Sequence, residues 1–471
     1  MNKEVLEQVY QYIDDNKDAI IEDLMKVARI ESVTNENSDV KPFGQSCRNV
    51  LDYMLGVGEQ EGFRVTNHEY YVGSVMYDTG STKRLGILAH LDVVPAGDDW
   101  TVTEPYNPII KDGLLFGRGT GDDKSGAIAG LYIMKAFKDL QIPIRSNIEL
   151  LLGTNEETGM KDMEYYRAHY KAPDFTFVPD AGFPGAAGEF GRLRYILTSR
   201  DALSADFVDA YAGSAFNIVP NKATVVLNKD TEINYKDLPE TFEISETENG
   251  IVISAFGVTT HAAGPERGLN AIKVLTNGLL TLNLKESDRK IIEFIDNVNN
   301  DYYGSFLGID NQDEVSGQTV SSGTVLKFNE GHVSLLNDCR YCVTDNGDRL
   351  EECVKTVADK WNYDLSVEEK TYGYALDVNG PIIKTIEKVF VECTGNTERK
   401  IMIGKGGTYA GQLDNAFATG CVYSEVWGER PDYLPEGHGG AHQPDEFLNI
   451  ENYIRGIKLL VTMVLAVDEI L

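Results

Sequence analysis

Positive charge is what this chain lacks most: 43 lysines and arginines stand against 74 aspartates and glutamates, a net charge of -31, with no basic block. A surface this negative repels phosphate backbones and anionic lipid headgroups, so neither nucleic acid nor a membrane surface is an expected partner. Long apolar runs are also missing. The longest near the carboxyl end, residues 459–467, is broken by Thr462, well short of the roughly 20 residues a membrane-spanning helix needs. Met1-Asn2-Lys3-Glu4 leads straight into an amphipathic pattern with Leu6, Val9, Tyr10 and Ile13 on one face, without the basic, apolar and small-residue regions of a signal peptide. A cytoplasmic location is therefore expected. Cysteine is sparse, with 6 residues, and only Cys339 and Cys342 have C-x-x-C spacing. No second Cys/His pair lies nearby to complete a zinc site, so both are read as strand cysteines, kept reduced as in the cytosol.

What the chain has is enough apolar sequence for sizeable cores: 42% of the 471 residues are hydrophobic and 10% aromatic. That length suggests more than one domain. Between about residues 85 and 180, apolar strand-like runs (85–94, 148–153, 175–178) alternate with a helical stretch at 125–139 whose Ala127, Leu131, Met134 and Phe137 fall on one side. Such alternation predicts an α/β domain with a mostly parallel sheet and helices on both faces. Near Glu189 the character changes to short strand-like runs such as 224–227 and 250–254, with helical runs at 270–280 and 348–361. This reads as an α+β insert with an antiparallel sheet. Helical sequence returns at 382–392 and is followed by the glycine-rich Gly404-Lys405-Gly406-Gly407-Thr408-Tyr409. A strand at 418–423 and a closing helix bearing Tyr453, Ile457, Leu460 and Val464 complete the chain. The expected division is a first part of a split α/β domain at 1–188, the insert at 189–378 and the second part of the α/β domain at 379–471.

Five scattered segments place an Asp, Glu or His where a metal ion could use it. They read His90-Leu91-Asp92, Gly117-Arg118-Gly119-Thr120-Gly121-Asp122-Asp123-Lys124, Asn155-Glu156-Glu157-Thr158-Gly159, Pro179-Asp180-Ala181 and Ala441-His442-Gln443-Pro444-Asp445-Glu446. Three follow predicted strands, and open α/β sheets bind ligands beyond the carboxyl ends of their strands. Singly, each segment has an ordinary structural explanation; jointly, they point to a metal centre. A pair of ions sharing one carboxylate needs a bridging Asp plus a His and a carboxylate for each ion. His90, Asp122, Glu157, Asp180 and His442 supply that set. Asp92, two residues past His90 on the same strand face, could hold the ring N–H and fix the metal-binding tautomer. Glu156, pointing away from its neighbour Glu157, suits a general base.

These residues resemble the M20 metallopeptidases, and within them the PepV-like dipeptidases. The match runs from His90-Leu91-Asp92-Val93-Val94-Pro95-Ala96-Gly97 through Asp122-Asp123-Lys124 and Thr154-Asn155-Glu156-Glu157-Thr158-Gly159. It continues with Asn217-Ile218-Val219-Pro220, Thr260-His261-Ala262-Ala263-Gly264-Pro265-Glu266 and Gly406-Gly407-Thr408-Tyr409. The resemblance implies that Asp122 bridges two divalent ions, His90 and Asp180 completing one site and Glu157 and His442 the other. It implies Glu156 as general base, Asp92 as the carboxylate behind His90, the split α/β domain (1–188 and 379–471) as the catalytic domain, the α+β insert (189–378) as its lid domain, and His261 of that lid as stabiliser of the oxyanion. Asn217, Arg340, Gly406 and Gly407 would hold the substrate, Arg340 at its terminal carboxylate. Ser125, Gly182, Cys342, Lys405 and Gly411 depart from the family's usual residues; none is a ligand, and they bear on substrate selection.

The implied activity is two-metal hydrolysis of dipeptides or short peptides with a free carboxyl end, by a monomer or homodimer. The ions expected from mixed imidazole and carboxylate ligands are zinc or manganese, with cobalt also suited. Two other readings are an N-acyl-amino-acid amidase with the same centre and a non-catalytic metal- or peptide-binding protein. Gly404-Lys405-Gly406 is no phosphate loop, because Arg399 stands where the first glycine belongs and no Ser/Thr follows Lys405.

Overall fold

A computed structural model describes residues 3–426 and 428–471. The chain forms two compact units, one made of Met1–Gly188, Leu376–Met402 and Gly407–Leu471, the other of Glu189–Ala375 and Ile403–Gly406. The second unit thus ends three residues earlier than the sequence reading placed the lid, at Ala375, and regains a short piece of later chain. That piece is tied in by Phe190 N–H donating to the Gly404 carbonyl at 2.9 Å and by Arg340 donating to the Lys405 carbonyl.

In the first unit the sheet order is Arg64–His68, Val72–Tyr77, Asn147–Gly153, Arg84–His90, Phe175–Val178, Ala416–Ala418, Ala186–Glu189. Arg84–His90 lies between two parallel neighbours, Asn147–Gly153 and Phe175–Val178, and Ala416–Ala418 continues the parallel pairing. The strands outside this centre are antiparallel. The sheet is therefore mixed, with a parallel middle. Its central strands are buried along their length, which is why the sequence shows continuous apolar runs there instead of alternation. Helix Lys124–Asp139 approaches closely through Gly130, where a Cβ would meet Leu150 and Ile87 at 2.7 and 3.1 Å. The closing helix Ile450–Asp468 buries Tyr453, Ile457, Leu460 and Val464 completely, as its 3.6-residue spacing requires. Among the described residues no helix is long and apolar enough to cross a membrane.

One expectation failed locally. The strand read at 418–423 exists only as Ala416–Ala418. Beyond it the chain turns to close a loop, Thr419 N–H donating to Val178 O at 2.8 Å and Ala181 N–H donating to Thr419 O at 2.7 Å. The apolar residues Cys421 and Tyr423 are buried there by packing, without strand pairing.

The second unit carries an antiparallel eight-stranded sheet in the order Glu243–Thr247, Gly250–Phe256, Lys222–Leu227, Phe207–Ala212, Val320–Asn329, His332–Tyr341, Gly191–Ser199, Tyr363–Thr371. Leu193, Tyr195, Leu197, Leu335 and Cys339 share a core with Leu275, Ile291, Ile295, Leu350 and Val354 of the helices Ala271–Leu280, Glu286–Val298 and Gly347–Lys360. Strand period 2 then sends Arg192 and Arg194 to the opposite face of Gly191–Ser199, where each is half-buried. Leu335→Ala, at a fully buried position, is expected to destabilise this unit by about 2–5 kcal/mol through lost burial and a residual cavity. Urea unfolding followed by circular dichroism checks this, and a midpoint unchanged from wild type contradicts the core assignment.

Candidate metal centre

The first unit gathers all five expected ligands. His90 ends the central strand, Glu157 follows the end of Asn147–Gly153, and Asp180 follows Phe175–Val178. Asp122 lies in the turn before helix Lys124–Asp139, and His442 in a turn with φ 63°. His90 Nε2 stands 2.9 Å from Asp122 Oδ1 and 3.9 Å from Asp180 Oδ2. His442 Nε2 stands 3.2 Å from Asp122 Oδ2 and 3.0 Å from Glu157 Oε2. Two triads result, His90/Asp122/Asp180 and Asp122/Glu157/His442, each with one ligand atom per residue within 4.8 Å of the others. The two oxygens of Asp122 face different imidazoles, the geometry of a bridging carboxylate.

The tautomer of His90 follows from its partner. Nδ1 lies 2.9 Å from the Asp92 main-chain carbonyl, which can only accept, so Nδ1 carries a hydrogen, and Nε2, facing Asp122, is the nitrogen a metal ion would take in place of a proton. The Asp92 carboxylate is farther from the ring, at 3.6 Å. Its two oxygens accept the N–H groups of Glu156 and Glu157, each at 3.1 Å. The ring contact expected of the Asp92 side chain is thus made by its backbone, and the side chain holds the tandem glutamates in place.

Buried acids crowd this region. Burial, then Asp180, lifts the Glu156 carboxyl well above its usual range, with Glu157 and Asp92 adding and His90 opposing. Hydrogen bonds to Asp122 and Glu157 push His442 up to about 10. For Asp122, burial raises the value, but the bonds to His442 and His90 outweigh it and hold the acid below its usual range. Protons on the imidazoles offset the negative charge in these values, and divalent cations would offset it more strongly. The donor set of two imidazoles and three carboxylates, one of them shared, fits a pair of such ions. A cavity of about 720 Å³ in the same unit has Asp122 and Asp180 in its wall, together with Phe183, Val422, Tyr433 and Arg430.

Three supports were not recognised in the sequence. Glu446 accepts from Gly121 N at 2.8 Å, Asp122 N at 3.2 Å and Arg118 Nη1 at 2.7 Å, which shapes the turn that presents Asp122. Asp162 accepts from Thr154 N at 2.7 Å and Asn155 N at 2.9 Å and also receives the Tyr409 hydroxyl, under the loop that carries both glutamates. Burial pushes the Asp162 carboxyl up to about 7. Tyr409 stands so close to Gly153 that a Cβ there would lie 2.2 Å from its hydroxyl oxygen.

In the second unit, Ile218–Val219 pairs with Thr260–His261, and Ala262 N–H donates to Asn217 O at 2.8 Å. Asn217 and His261 are thereby neighbours. Ala263 N–H donates to His261 Nδ1 at 3.1 Å, so the neutral ring carries its hydrogen on Nε2. Partial burial, then Arg340, holds His261 below its ordinary value; Asp338 opposes, while Arg192 and Arg194 add to the lowering. Arg340 is buried, with Nε 2.7 Å and Nη2 3.2 Å from the Asp338 carboxylate and Nη1 on the Lys405 carbonyl. Gly406 and Gly407 lie in an exposed loop beyond Lys405, on either side of the division between the units.

The model of the peptidase family M20/M25/M40 matches residues 86–466. The chain belongs to this family. It is 30% identical over 460 residues to a putative dipeptidase, YtjP, of Bacillus subtilis (94% of this chain, 96% of the relative). It is 31% identical over 466 residues to the Beta-Ala-Xaa dipeptidase of Lactobacillus delbrueckii subsp. lactis (94% of each). The solved structure of the dipeptidase Dug1p from Saccharomyces cerevisiae shares the fold, with a TM-score of 0.59 at 15% identity, covering 98% of each chain. As an M20 member with dipeptidase relatives, the chain is a metallopeptidase, using divalent metal to hydrolyse peptides.

The buried pairing around Asp338 makes stability depend on acid. Burial raises its pKa, but Arg340, then Arg194 and Arg192, outweigh burial and hold it below the ordinary value. A depressed folded value gives stability that is complete above the unfolded carboxyl value of about 3.9 and lost as pH falls through the folded one. Asp338→Asn is therefore expected to lower stability at pH 7 and to flatten its decline on acidification below about pH 4. Thermal melts of both proteins from pH 7 to pH 3 check this; parallel declines overturn it.

Proposed function

We propose that this metallopeptidase cleaves dipeptides or short peptides with a free carboxyl end, using two divalent ions and Glu156 as general base. The two triads that share Asp122 are the observation that carries this reading. In it, His90 and Asp180 hold one ion, Glu157 and His442 the other, and zinc, manganese or cobalt suits the mixed ligands. Such ions supply Lewis-acid polarisation of the scissile carbonyl and lower the pKa of water towards about 7.

The chain's own groups do the rest. Asp92 fixes the backbone of residues 156 and 157 so that one glutamate serves as ligand and the other takes a proton from the attacking water. The burial that lifts Glu156 also suits it to return that proton to the leaving amine. His261, neutral with its hydrogen on Nε2, is the candidate donor to the developing oxyanion. Asn217, Arg340 and the Gly406-Gly407 loop are the candidate substrate holders. The dipeptidase relatives favour short peptides as substrates, and the protein is expected to work as a monomer or homodimer in the cytoplasm.

Glu156→Gln keeps size and backbone contacts while removing the base. Its kcat on a dipeptide should fall by about 10²–10⁴-fold, the usual contribution of general acid–base catalysis, with metal content unchanged by elemental analysis. A rate within threefold of wild type removes Glu156 from the mechanism. Asp122→Asn takes charge from both triads at once, so metal content should drop from two ions per chain to one or fewer. Retention of two ions would falsify the bridging role.

A further inference from the structure

The two triads are built on unequal ground. His90 ends a buried strand, its side chain 1% exposed and its Nδ1 fixed by a carbonyl 2.9 Å away. His442 has 53% of its side chain exposed, and among the described residues its ring's polar contacts run through Nε2 alone, to Asp122 and Glu157. No helix or strand carries it, because the described chain between Ala416–Ala418 and Phe447–Asn449 is irregular throughout. A ligand on a loop that an ion must first order binds that ion less tightly, since binding then bears the entropy of ordering. Something other than packing of the ring has to hold the His442 turn.

The turn is closed on itself and then anchored. Gly440 N–H donates to Gln443 Oε1 and Gln443 N–H returns to Gly440 O, each at 3.1 Å, with His442 between them. One step further out, Gly439 N–H donates to Pro444 O at 2.9 Å. At the base, His438 Nδ1 lies 2.8 Å from Asp445 Oδ2. Asp445 is fully buried and takes three more donors: Thr101 N–H and Val102 N–H at Oδ1, both at 2.8 Å, and the Thr101 hydroxyl at Oδ2, 2.6 Å away. With four donors around it the carboxylate acts only as acceptor, so the imidazole donates in the His438 bond. The receiving segment is braced in turn, since Trp100 Nε1 donates to Ala96 O at 2.9 Å and the Arg118 guanidinium lies 5.5 Å from the Trp100 ring. Adjacent acids thus hold two ligands of one triad, Glu446 the Asp122 turn and Asp445 the His442 turn.

We propose that Asp445 and His438 form a clamp that sets how tightly the Asp122/Glu157/His442 triad holds its divalent ion, while the His90/Asp122/Asp180 triad relies on its own strand-borne ligands. This rests on the two-ion reading above and deepens it by separating what tunes one ion from what tunes the other. Both are positioning residues, since neither belongs to a triad. They act by keeping the His442 turn in one conformation before the ion arrives. Clamp, turn and triads all lie in the first unit.

The test titrates Mn²⁺ into metal-free full-length protein by isothermal titration calorimetry, for wild type, His438→Ala, His438→Asn and Asp445→Asn. Wild type is expected to take two ions per chain. His438→Ala and Asp445→Asn should weaken one ion by about 10–100-fold, the usual cost of losing a group that orients a metal ligand, and leave the other within about threefold. His438→Asn, which keeps an N–H donor near the place of Nδ1, should recover most of the loss. Glu157→Gln identifies the site: in that background His438→Ala should not weaken the remaining ion further. Equal weakening of both ions, as general damage to the fold would produce, overturns the proposal. If Asp445→Asn does not fold, as judged by circular dichroism, the two His438 variants decide alone. Uptake of a single ion by wild type sinks the two-ion reading and the clamp with it. Two ions in wild type, with both affinities unchanged in His438→Ala, sink the clamp alone.

Discussion

Asp122 presents one carboxylate oxygen to His90 and the other to His442, and much of the first unit serves to make that division possible. One imidazole comes from the central strand and the other from a turn some 350 residues later. The acid between them must be held without being neutralised. Glu446 does this from behind, by accepting the amides of the turn that precedes and includes Asp122. Asp92 does the equivalent for the paired glutamates. In both places a buried acid spends its oxygens on backbone N–H groups, and the neighbouring acid it positions, a candidate ligand, keeps its own oxygens free of those bonds.

The same logic explains what could be read in the sequence. Three of the five candidate ligands, His90, Glu157 and Asp180, follow strands whose apolar runs are unmistakable, so their placement followed from the pattern around residues 85–90, 148–153 and 175–178. Helices at 124–139 and 450–468 were legible because their apolar faces are periodic. The antiparallel character of the second unit was legible from its short runs and turns. Residues 419–423 misled because Cys421 and Tyr423 are buried without strand pairing, and apolarity alone does not distinguish the two.

The supporting residues were opaque for a different reason. Tyr409 reaches Asp162 across 247 positions and Glu446 reaches Gly121 across 325, and no spacing rule spans such distances. Asp92 shows a subtler limit. Its nearness to His90 in sequence suggested a side-chain contact with the ring, yet the main chain already makes that contact, which frees the carboxylate for the glutamate loop.

The short return of the chain through Ile403–Gly406 bears on how such a protein can be taken apart. The second unit is continuous from Glu189 to Ala375 except for these four residues, and the Lys405 carbonyl among them takes an N–H of buried Arg340. A graft or truncation cut only at the obvious ends would sever that bond and leave a guanidinium donor without its acceptor. The second unit is therefore a module assembled from two separate lengths of chain, and a recombination that respects it has to carry both.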